Sequence, residues 1–295
     1  MGDGRRESKA HGSAGFPMDV YFLEQDGGDY TKLFCHWHEE CEIILVTEGG
    51  GSFQVGGRSC RVLAGEAVFV LPGRLHAAVA LEGMPCRYVS AVFHPSLLAG
   101  GEAGQPGLWR KYVAPVLEGE LVFPIHITGD TETGRQLLKE LYDIRALFRE
   151  RRGGCELLAK AAVLRVWYLL WSRAEKNAEA GHMQNERNLA RVKAALDYMH
   201  SRYREDIALD ELARAARMSR GQFCRVFRSL VGETPVQYLN GYRIRRSAGL
   251  LEETDRKISD VASSVGYSSI GYYNRMFRRY MGCTPSEYRK RRRDN

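Results

Sequence analysis

Arg225 and Arg275 stand fifty residues apart at the same place in a stretch that occurs twice near the end of the chain. A guanidinium carries a rigid fork of donors that can grip guanine O6 and N7 together, so a matched pair of arginines is equipped to read two base positions. That chemistry needs each arginine on an element able to enter a groove. It also needs the two elements held at a fixed separation.

The repetition supplies such elements. Gly232-Glu233-Thr234-Pro235-Val236-Gln237-Tyr238 recurs as Gly282-Cys283-Thr284-Pro285-Ser286-Glu287-Tyr288, and Phe227 and Arg228 recur as Phe277 and Arg278. Leu212-Ala213 recurs as Val261-Ala262 at an offset of forty-nine, which puts a one-residue insertion in a turn between the blocks. In the first copy Leu209, Leu212, Ala213 and Ala216 keep helical spacing. Arg217-Met218 interrupts the run, and Ser219 opens a second helix with Phe223, Val226 and Phe227 on one face. Ser219 with Gln222 has the form of a capping box. In the second copy Ile258, Val261, Ala262 and Val265 make the first helix, Gly266 turns the chain, and Ser269 starts a helix bearing Tyr273, Met276 and Phe277. Gly232 and Gly282 are expected as left-handed caps, each followed by a Thr-Pro that starts a new helix.

Between the copies, residues 235–251 read as one connecting helix, with Tyr238, Leu239, Tyr242, Ile244, Ala248 and Leu251 facing inward. At about 1.5 Å per residue it spans roughly 25 Å, a length suited to two reading heads near successive major grooves, about 34 Å apart. Arg217 occupies the turn position that Gly266 fills in the second copy, and a non-glycine residue at positive φ costs on the order of 1 kcal/mol. The first turn is therefore expected to be strained or differently shaped.

Charge follows the repeat. Residues 183–295 carry 23 Lys+Arg against 13 Asp+Glu, a net of +10, whereas residues 1–182 carry 20 against 23, a net of −3. Concentrated basic charge gains affinity for phosphate by releasing counterions, which makes binding steeply salt-dependent.

The runs LDELARAARMSRGQFCRVFRSLVGETPVQYLNGYRIRRSAGLLEE and ISDVASSVGYSSIGYYNRMFRRYMGCTPSEYRK resemble, over residues 189–293, the DNA-binding domain of the AraC/XylS family of bacterial transcription regulators. In that family the second helix of each copy enters the major groove. The resemblance thus implies that Arg220, Gly221, Cys224 and Arg225 face one groove, and that Ile270, Gly271, Asn274 and Arg275 face the next. Gly221, Gly271 and Cys224 offer little hydrogen-bonding capacity where relatives often carry larger polar residues, which shifts weight toward phosphate anchoring and DNA shape.

The front of the chain is patterned differently. Short β-rich stretches at residues 20–23, 41–47, 52–55, 67–71 and 88–93 are separated by glycine clusters at 49–51 and 56–57, as in a sandwich or barrel. The Gly56-Gly57 pair reads as a hairpin turn, with no following helix that would make it a phosphate loop.

In this segment His36, His38, Glu42 and Gly49 match H-x-H-x3-E-x6-G, the first motif of the cupin barrels. The stretch from Gly65 to Pro72-Gly73-Arg74-Leu75-His76 approximates the second, with Leu71 where that motif has proline. The resemblance implies a cupin-like effector domain. Its three imidazoles and one carboxylate, His36, His38, Glu42 and His76, are a donor set suited to Zn, Mn, Fe or Ni. A divalent metal is one use of these side chains, and none is required for regulation. The other use is direct contact with a small effector, together with Arg74 and Tyr88, and with Phe53 and Phe69 as further wall candidates. Arg74, a cation near a barrel mouth, favours an acidic or hydroxylated ligand.

Behind this segment the pattern turns helical. Leu137, Leu138, Leu141, Ile144, Leu147 and Phe148 form one apolar stripe, and Leu157, Ala161, Leu164, Trp167, Tyr168 and Trp171 a second, joined by Arg151-Arg152-Gly153-Gly154. Such a hairpin must bury its stripe against the barrel, a twin, or both, and in relatives it mediates dimerisation.

The expected fold class is α+β: a cupin-like β-barrel, a helical hairpin, then an all-α domain with two helix-turn-helix motifs. The expected divisions are a flexible segment 1–19, an effector domain 20–129, a hairpin 130–176, a linker 177–188 and a DNA-binding domain 189–293. No apolar run is long enough for a membrane span, the charged start is not a secretory signal, and seven scattered cysteines suit a reducing cytoplasm. The expected function is sequence-specific transcription regulation, as an activator, by a homodimer that binds promoter DNA, a small-molecule effector and RNA polymerase, without catalysis. The alternative is a cupin metal-dependent dioxygenase or isomerase carrying a DNA-binding tail.

Overall fold

The structure is a computed structural model of the chain and describes residues 11–13, 15–23, 32–100, 104–150, 153–176 and 182–293. The described residues fall into two compact units, one ending at Gln184 and the other beginning at Asn185.

The first unit is built on strands β1 (Met18–Leu23), β2 (Lys32–His36), β3 (Cys41–Val55), β4 (Arg58–Leu63), β5 (Ala67–Val70), β6 (His76–Ala80), β7 (Cys86–Phe93), β8 (Leu121–Val122) and β9 (His126–Ile127). The main path runs β1-β7-β3-β5-β9, while β4 and β6 flank the far half of β3 and β2 pairs with β6. Strand β3 serves two lobes. Its first half pairs with β5 and β7, its second with β4 and β6.

The sheet is not closed, so the expected barrel is corrected to an open, folded-over sheet. No strand pairing joins β1 to β9, and β2 and β4 end the other lobe. The break expected at 49–51 is also absent, since one strand runs through it. Gly49 takes φ 69° there, and a Cβ on it would lie 1.7 Å from the Pro85 carbonyl oxygen. Glycine thus marks a bend where another backbone approaches, not an end of pairing. The hairpin at Gly56-Gly57 forms as expected, with φ of 55° and 87° and Val55 paired to Arg58.

Alternation along the strands sorts two apolar layers. Ile43, Leu45, Phe69, Val89, Ala91 and Phe93 pack toward helices α4 (Glu132–Glu150) and α5 (Cys155–Trp171), meeting Leu137, Leu141, Ile144, Val166 and Trp167. Ile44, Val46, Val68, Val70 and Tyr88 turn the other way, onto Phe53, Val55 and Val62 from the second lobe. Three short helical pieces come between: α1 (Ser96–Ala99), α2 (Pro106–Leu108) and α3 (Ala114–Leu117), with one π-helical turn, Trp109–Val113, ahead of α3. A two-residue strand β10 (Glu175–Lys176) pairs with β8.

The hairpin expected over 130–176 is present, but of the expected α5 stripe only Trp167 and Trp171 pack on the core. Ala159, Ala162, Val163, Val166, Trp167 and Leu170 are buried, whereas Leu157 is 78% exposed and Tyr168 65%. Helix α5 is apolar on two sides, so spacing alone selected the outward one.

The second unit holds all but the first three residues of α6 (His182–Arg202), together with α7 (Leu209–Ala215), α8 (Arg220–Val231), α9 (Pro235–Glu253), α10 (Ile258–Ser264), α11 (Ile270–Met281) and α12 (Pro285–Arg293). Residues 182–188, expected within the linker, are already helical, and 177–181 lie outside the described residues. Helices α7–α8 and α10–α11 are the two helix-turn-helix pairs. Gly232 and Gly282 take φ 85° and 72°, closing α8 and α11 as left-handed caps. Arg217 takes φ 51°, yet the two turns share one pattern: Met218 N–H donates to Ala213 O at 3.0 Å and Tyr267 N–H to Ala262 O at 3.1 Å. The first turn is therefore not differently shaped; its cost is the positive φ of a residue with a Cβ.

Ser219 caps α8 by accepting from Gln222 N–H at 3.4 Å, while the reciprocal capping box forms at Thr234 and Gln237. Helix α9 is the central rod, with Tyr238, Leu239, Tyr242, Ile244, Ala248 and Leu251 buried along it. Phe223 and Phe227 from α8 and Tyr273 and Phe277 from α11 are likewise buried, each contributing about 1.5–3 kcal/mol.

Candidate nucleic-acid interface and histidine centre

Burying Phe223 and Phe227 on one side of α8 leaves Arg220, Gly221, Arg225 and Arg228 exposed on the others, with Cys224 half-buried between. Burying Tyr273, Met276 and Phe277 does the same for α11, exposing Ile270, Gly271, Asn274, Arg275 and Arg278. Both N-terminal helix ends are thus free of the core and carry the residues singled out from the sequence. A Cβ added at Gly221 would meet nothing within 4 Å, and one at Gly271 only Ser269 Oγ at 3.9 Å, so neither glycine is required by packing. Arg275 lies 5.2 Å over the Tyr272 ring, and Arg220 has only a long 3.9 Å contact with Asp210, both exposed. Such a surface pair contributes little and leaves the guanidinium available. Arg225 borders a shallow cleft with Asn185 and Asn188 of α6, two polar residues that the sequence reading passed over as linker.

In the first unit, His36, His38, Glu42 and His76 converge, with one donor atom from each lying within 4.8 Å of the others. Glu42 is placed by strand alternation on the β3 face shared with Ile44 and Val46, and β2 brings His36 opposite His76 of β6. The rings of His36 and His76 are 4.1 Å apart. Each imidazole is oriented through Nδ1 by a backbone carbonyl: His36 to Phe34 O at 2.7 Å, His38 to Glu40 O at 3.1 Å and His76 to Arg74 O at 2.9 Å. With Nδ1 donating, a neutral ring presents its Nε2 lone pair, whereas a protonated ring offers a second N–H to Glu42.

Glu42 Oε2 receives two of those nitrogens, His38 Nε2 at 3.1 Å and His76 Nε2 at 2.8 Å. The His76 contact is too poorly aligned for a hydrogen bond and leaves a buried nitrogen unsatisfied. The Ser90 hydroxyl donates to the other carboxylate oxygen. Burial makes the Glu42 carboxyl a weaker acid, but His76 and His38 outweigh it and hold its pKa well below the usual carboxylate range. Burial, reinforced by His76, lowers His36 to about 3. Lone pairs facing a carboxylate repel one another unless a cation or protons stand between them. The four side chains therefore fit a divalent transition metal, with the three backbone carbonyls as the outer partners that fix ring orientation.

The other effector candidates divide. Tyr88 is buried on the Glu42 side, its hydroxyl made a weaker acid by burial and then by Glu42. Phe53 fills the same interior. Phe69 does not line it: the residue faces the opposite layer, 5.7 Å from Phe123 and 6.3 Å from Trp167, because odd-numbered β5 positions point to the helices. Arg74 is half-buried and borders a separate cleft. Two residues were missed. Ser90 follows Tyr88 by two and so shares its face, a signal that alternation carried. His11, whose Nδ1 bonds the Tyr21 hydroxyl at 2.9 Å and whose ring lies 5.7 Å from that of His38, stands before any strand and had no sequence signal.

Comparison with known proteins agrees with this division. A family profile described as an AraC-like ligand binding domain matches residues 18–165, and one described as a helix-turn-helix domain matches residues 212–291. The chain is 27% identical over 289 residues to the uncharacterized HTH-type transcriptional regulator YdeC of Bacillus subtilis, covering 97% of this chain and 96% of that protein. It is 27% identical to the MmsAB operon regulatory protein of Pseudomonas aeruginosa, covering 63% and 64%. Among solved structures, an apo single-residue variant of ToxT from Vibrio cholerae aligns with 95% of this chain and 98% of its own at 14% identity, with a TM-score of 0.46. With the ligand-binding profile covering half of its length and the helix-turn-helix profile its carboxyl-terminal unit, this chain belongs to the AraC family, whose members are DNA-binding transcription regulators with an effector-binding domain.

Proposed function

We propose that this regulator binds promoter DNA through α8 and α11 in successive major grooves, and acts as a cytoplasmic, homodimeric activator that contacts RNA polymerase. The observation that carries the DNA reading is the equivalent exposure of Arg225 and Arg275 on two helices fixed to one buried rod. Effector binding in the first unit shifts the population of DNA-binding arrangements to the extent that the effector prefers one of them. Catalysis has no part in that cycle.

The supporting experiment is genomic footprinting with purified protein, followed by titration of the sites found. Arg225→Ala and Arg275→Ala should each cost ~1–3 kcal/mol on the cognate duplex and relax preference at one base. Equal losses on cognate and scrambled duplexes would reassign both arginines to phosphate.

His36, His38, Glu42 and His76 would hold a divalent metal that supplies positive charge between the Nε2 lone pairs and the carboxylate. Metal analysis of untagged protein tests this: a stoichiometric transition metal lost in His36→Ala supports the centre, and its absence from the wild type rejects it. The same cluster motivates the second reading, a metal-dependent dioxygenase or isomerase. Turnover of a small acid or sugar by the metal-loaded chain would favour that reading. Tight, selective duplex binding by the metal-free chain would favour the regulator.

A further inference from the structure

Helices α8 and α11 occupy matched places in the repeat but present different chemistry. Arg220 and Ile270 each open their helix, Gly221 and Gly271 follow, and Cys224 matches Asn274 just ahead of the paired arginines. Either arginine can grip a guanine. What separates the two heads is Ile270 and Asn274 on α11 against Arg220 and Cys224 on α8.

Ile270 is 46% exposed, although Tyr273, Met276 and Phe277 of the same helix are buried, so packing within the unit does not account for an isoleucine here. Asn274 is exposed one turn later, and among the described residues its amide makes no hydrogen bond. Side chains four positions apart lie next to one another on a helix, with about 5–6 Å between their Cβ atoms. That separation covers one to two base-pair steps of about 3.4 Å each. In the major groove thymine offers a 5-methyl group to apolar side chains, and adenine offers an N6 donor and an N7 acceptor that match the oxygen and nitrogen of an amide. Ile270 suits the first and Asn274 the second.

The frame beneath these side chains is fixed by α9. Buried Asn240 donates from Nδ2 to the Tyr272 hydroxyl at 3.2 Å and accepts from the Tyr267 hydroxyl at 3.0 Å, and the Arg275 guanidinium lies 5.2 Å over the Tyr272 ring. The first copy has Gln222 in the place of Tyr272. We infer that α11 recognises a thymine, whose 5-methyl meets Ile270, and a neighbouring adenine held by Asn274, in addition to the base read by Arg275. The two halves of the operator then differ in sequence, and the half under α11 carries more of the sequence information. The inference rests on the promoter-binding reading above.

The full chain is used to select a preferred duplex from a randomised pool, and that duplex is then altered one atom group at a time. Each thymine is replaced in turn by uracil, which removes the 5-methyl and keeps the pairing, and each adenine by 7-deazaadenine, which removes N7. One uracil should weaken binding by the wild type about threefold to fourfold, the effect of one buried methyl group. That penalty should vanish in Ile270→Ala and persist in part in Ile270→Val. One 7-deazaadenine within about two base pairs of that thymine should weaken the wild type about tenfold and leave Asn274→Ala unaffected. Cys224→Ala should keep both penalties. The assignment is overturned by uracil that is neutral at every position, by penalties that survive Ile270→Ala and Asn274→Ala, or by a sensitive thymine and adenine that lie far apart. If either alanine variant does not fold by circular dichroism, Ile270→Val and Asn274→Asp decide, and penalties equal to those of the wild type in both overturn it. A preferred duplex on which all replacements are neutral removes this inference alone, whereas a pool that yields no preferred duplex overturns the promoter-binding reading with it.

Discussion

Gly221 and Gly271 sit where a recognition helix would present side chains, and neither is there for want of space. Glycine inside a helix costs about 1 kcal/mol relative to alanine. Gly221→Ala is therefore expected to raise the melting temperature of residues 183–295 by roughly 4–8 °C. A fall in operator affinity alongside that gain would show that DNA approaches the α8 backbone closely, while an unchanged melting point would show that the α8 end is not helical in solution. At the histidine centre the sign of the pH effect follows from the two depressed groups. His36 falls to about 3, below its ordinary value near 6.5, so as pH drops the unfolded chain takes up this proton before the folded one. Glu42, also held low, contributes stability above about pH 4.5 that is lost as pH falls further. Chelator-treated protein should accordingly melt at lower temperature at pH 5 than at pH 7.5, and His36→Gln should shrink that difference. Equal pH dependence in the variant would place the sensitivity elsewhere.

Helix α5 shows how an element with two apolar sides divides its work. Ala159, Ala162, Val166 and Leu170 complete the core over the sheet, and Leu157, Ala161, Leu164 and Tyr168 repeat at heptad-like spacing on the outside. A proposed homodimer would use the outer stripe. Leu157→Glu combined with Leu164→Glu should halve the mass seen by light scattering and leave the circular dichroism spectrum unchanged. A wild-type chain that is already monomeric at micromolar concentration would remove the basis for that expectation. Helix α9 works differently, through polar clamps. Arg243 donates to Tyr203 O and Glu205 O, both at 2.7 Å, and stacks 5.7 Å over Tyr267, whose hydroxyl reaches Asn240. A Cβ on Gly266 would lie 2.7 Å from Tyr203 O, so the turn of the second motif is pressed against the segment after α6. These contacts hold the segment after α6 and the turn of the second helix-turn-helix pair to one rod without adding apolar surface.

At the scale of the whole chain, charge and sensing occupy different units. The basic excess lies in residues 183–295, so a fragment of those residues should bind the operator with a steep inverse dependence on salt. It should also lose every response to small molecules. Binding measured at several salt concentrations, with and without an active ligand, checks both statements. A fragment with a flat salt dependence would contradict the phosphate-anchoring contribution. Among the described residues no helix is long and apolar enough to cross a membrane, and the seven cysteines are all free thiols.

The sequence by itself determined the twin helix-turn-helix unit, because its order is local: the period of Phe223 and Phe227, the caps at Ser219 and Ser269, and the closing glycines all act within a few residues. It also determined which three imidazoles could meet around Glu42, through motif spacing. Tertiary structure decided the rest. Strands β2, β4 and β6 are poor in intrinsic preference and exist through pairing. The open edges of the sheet, the face that α5 buries, the loss of Phe69 from the interior and the arrival of His11 beside His38 all depend on which segments become neighbours. Periodicity names the two faces of an element, and only its packing partner selects the one that is buried.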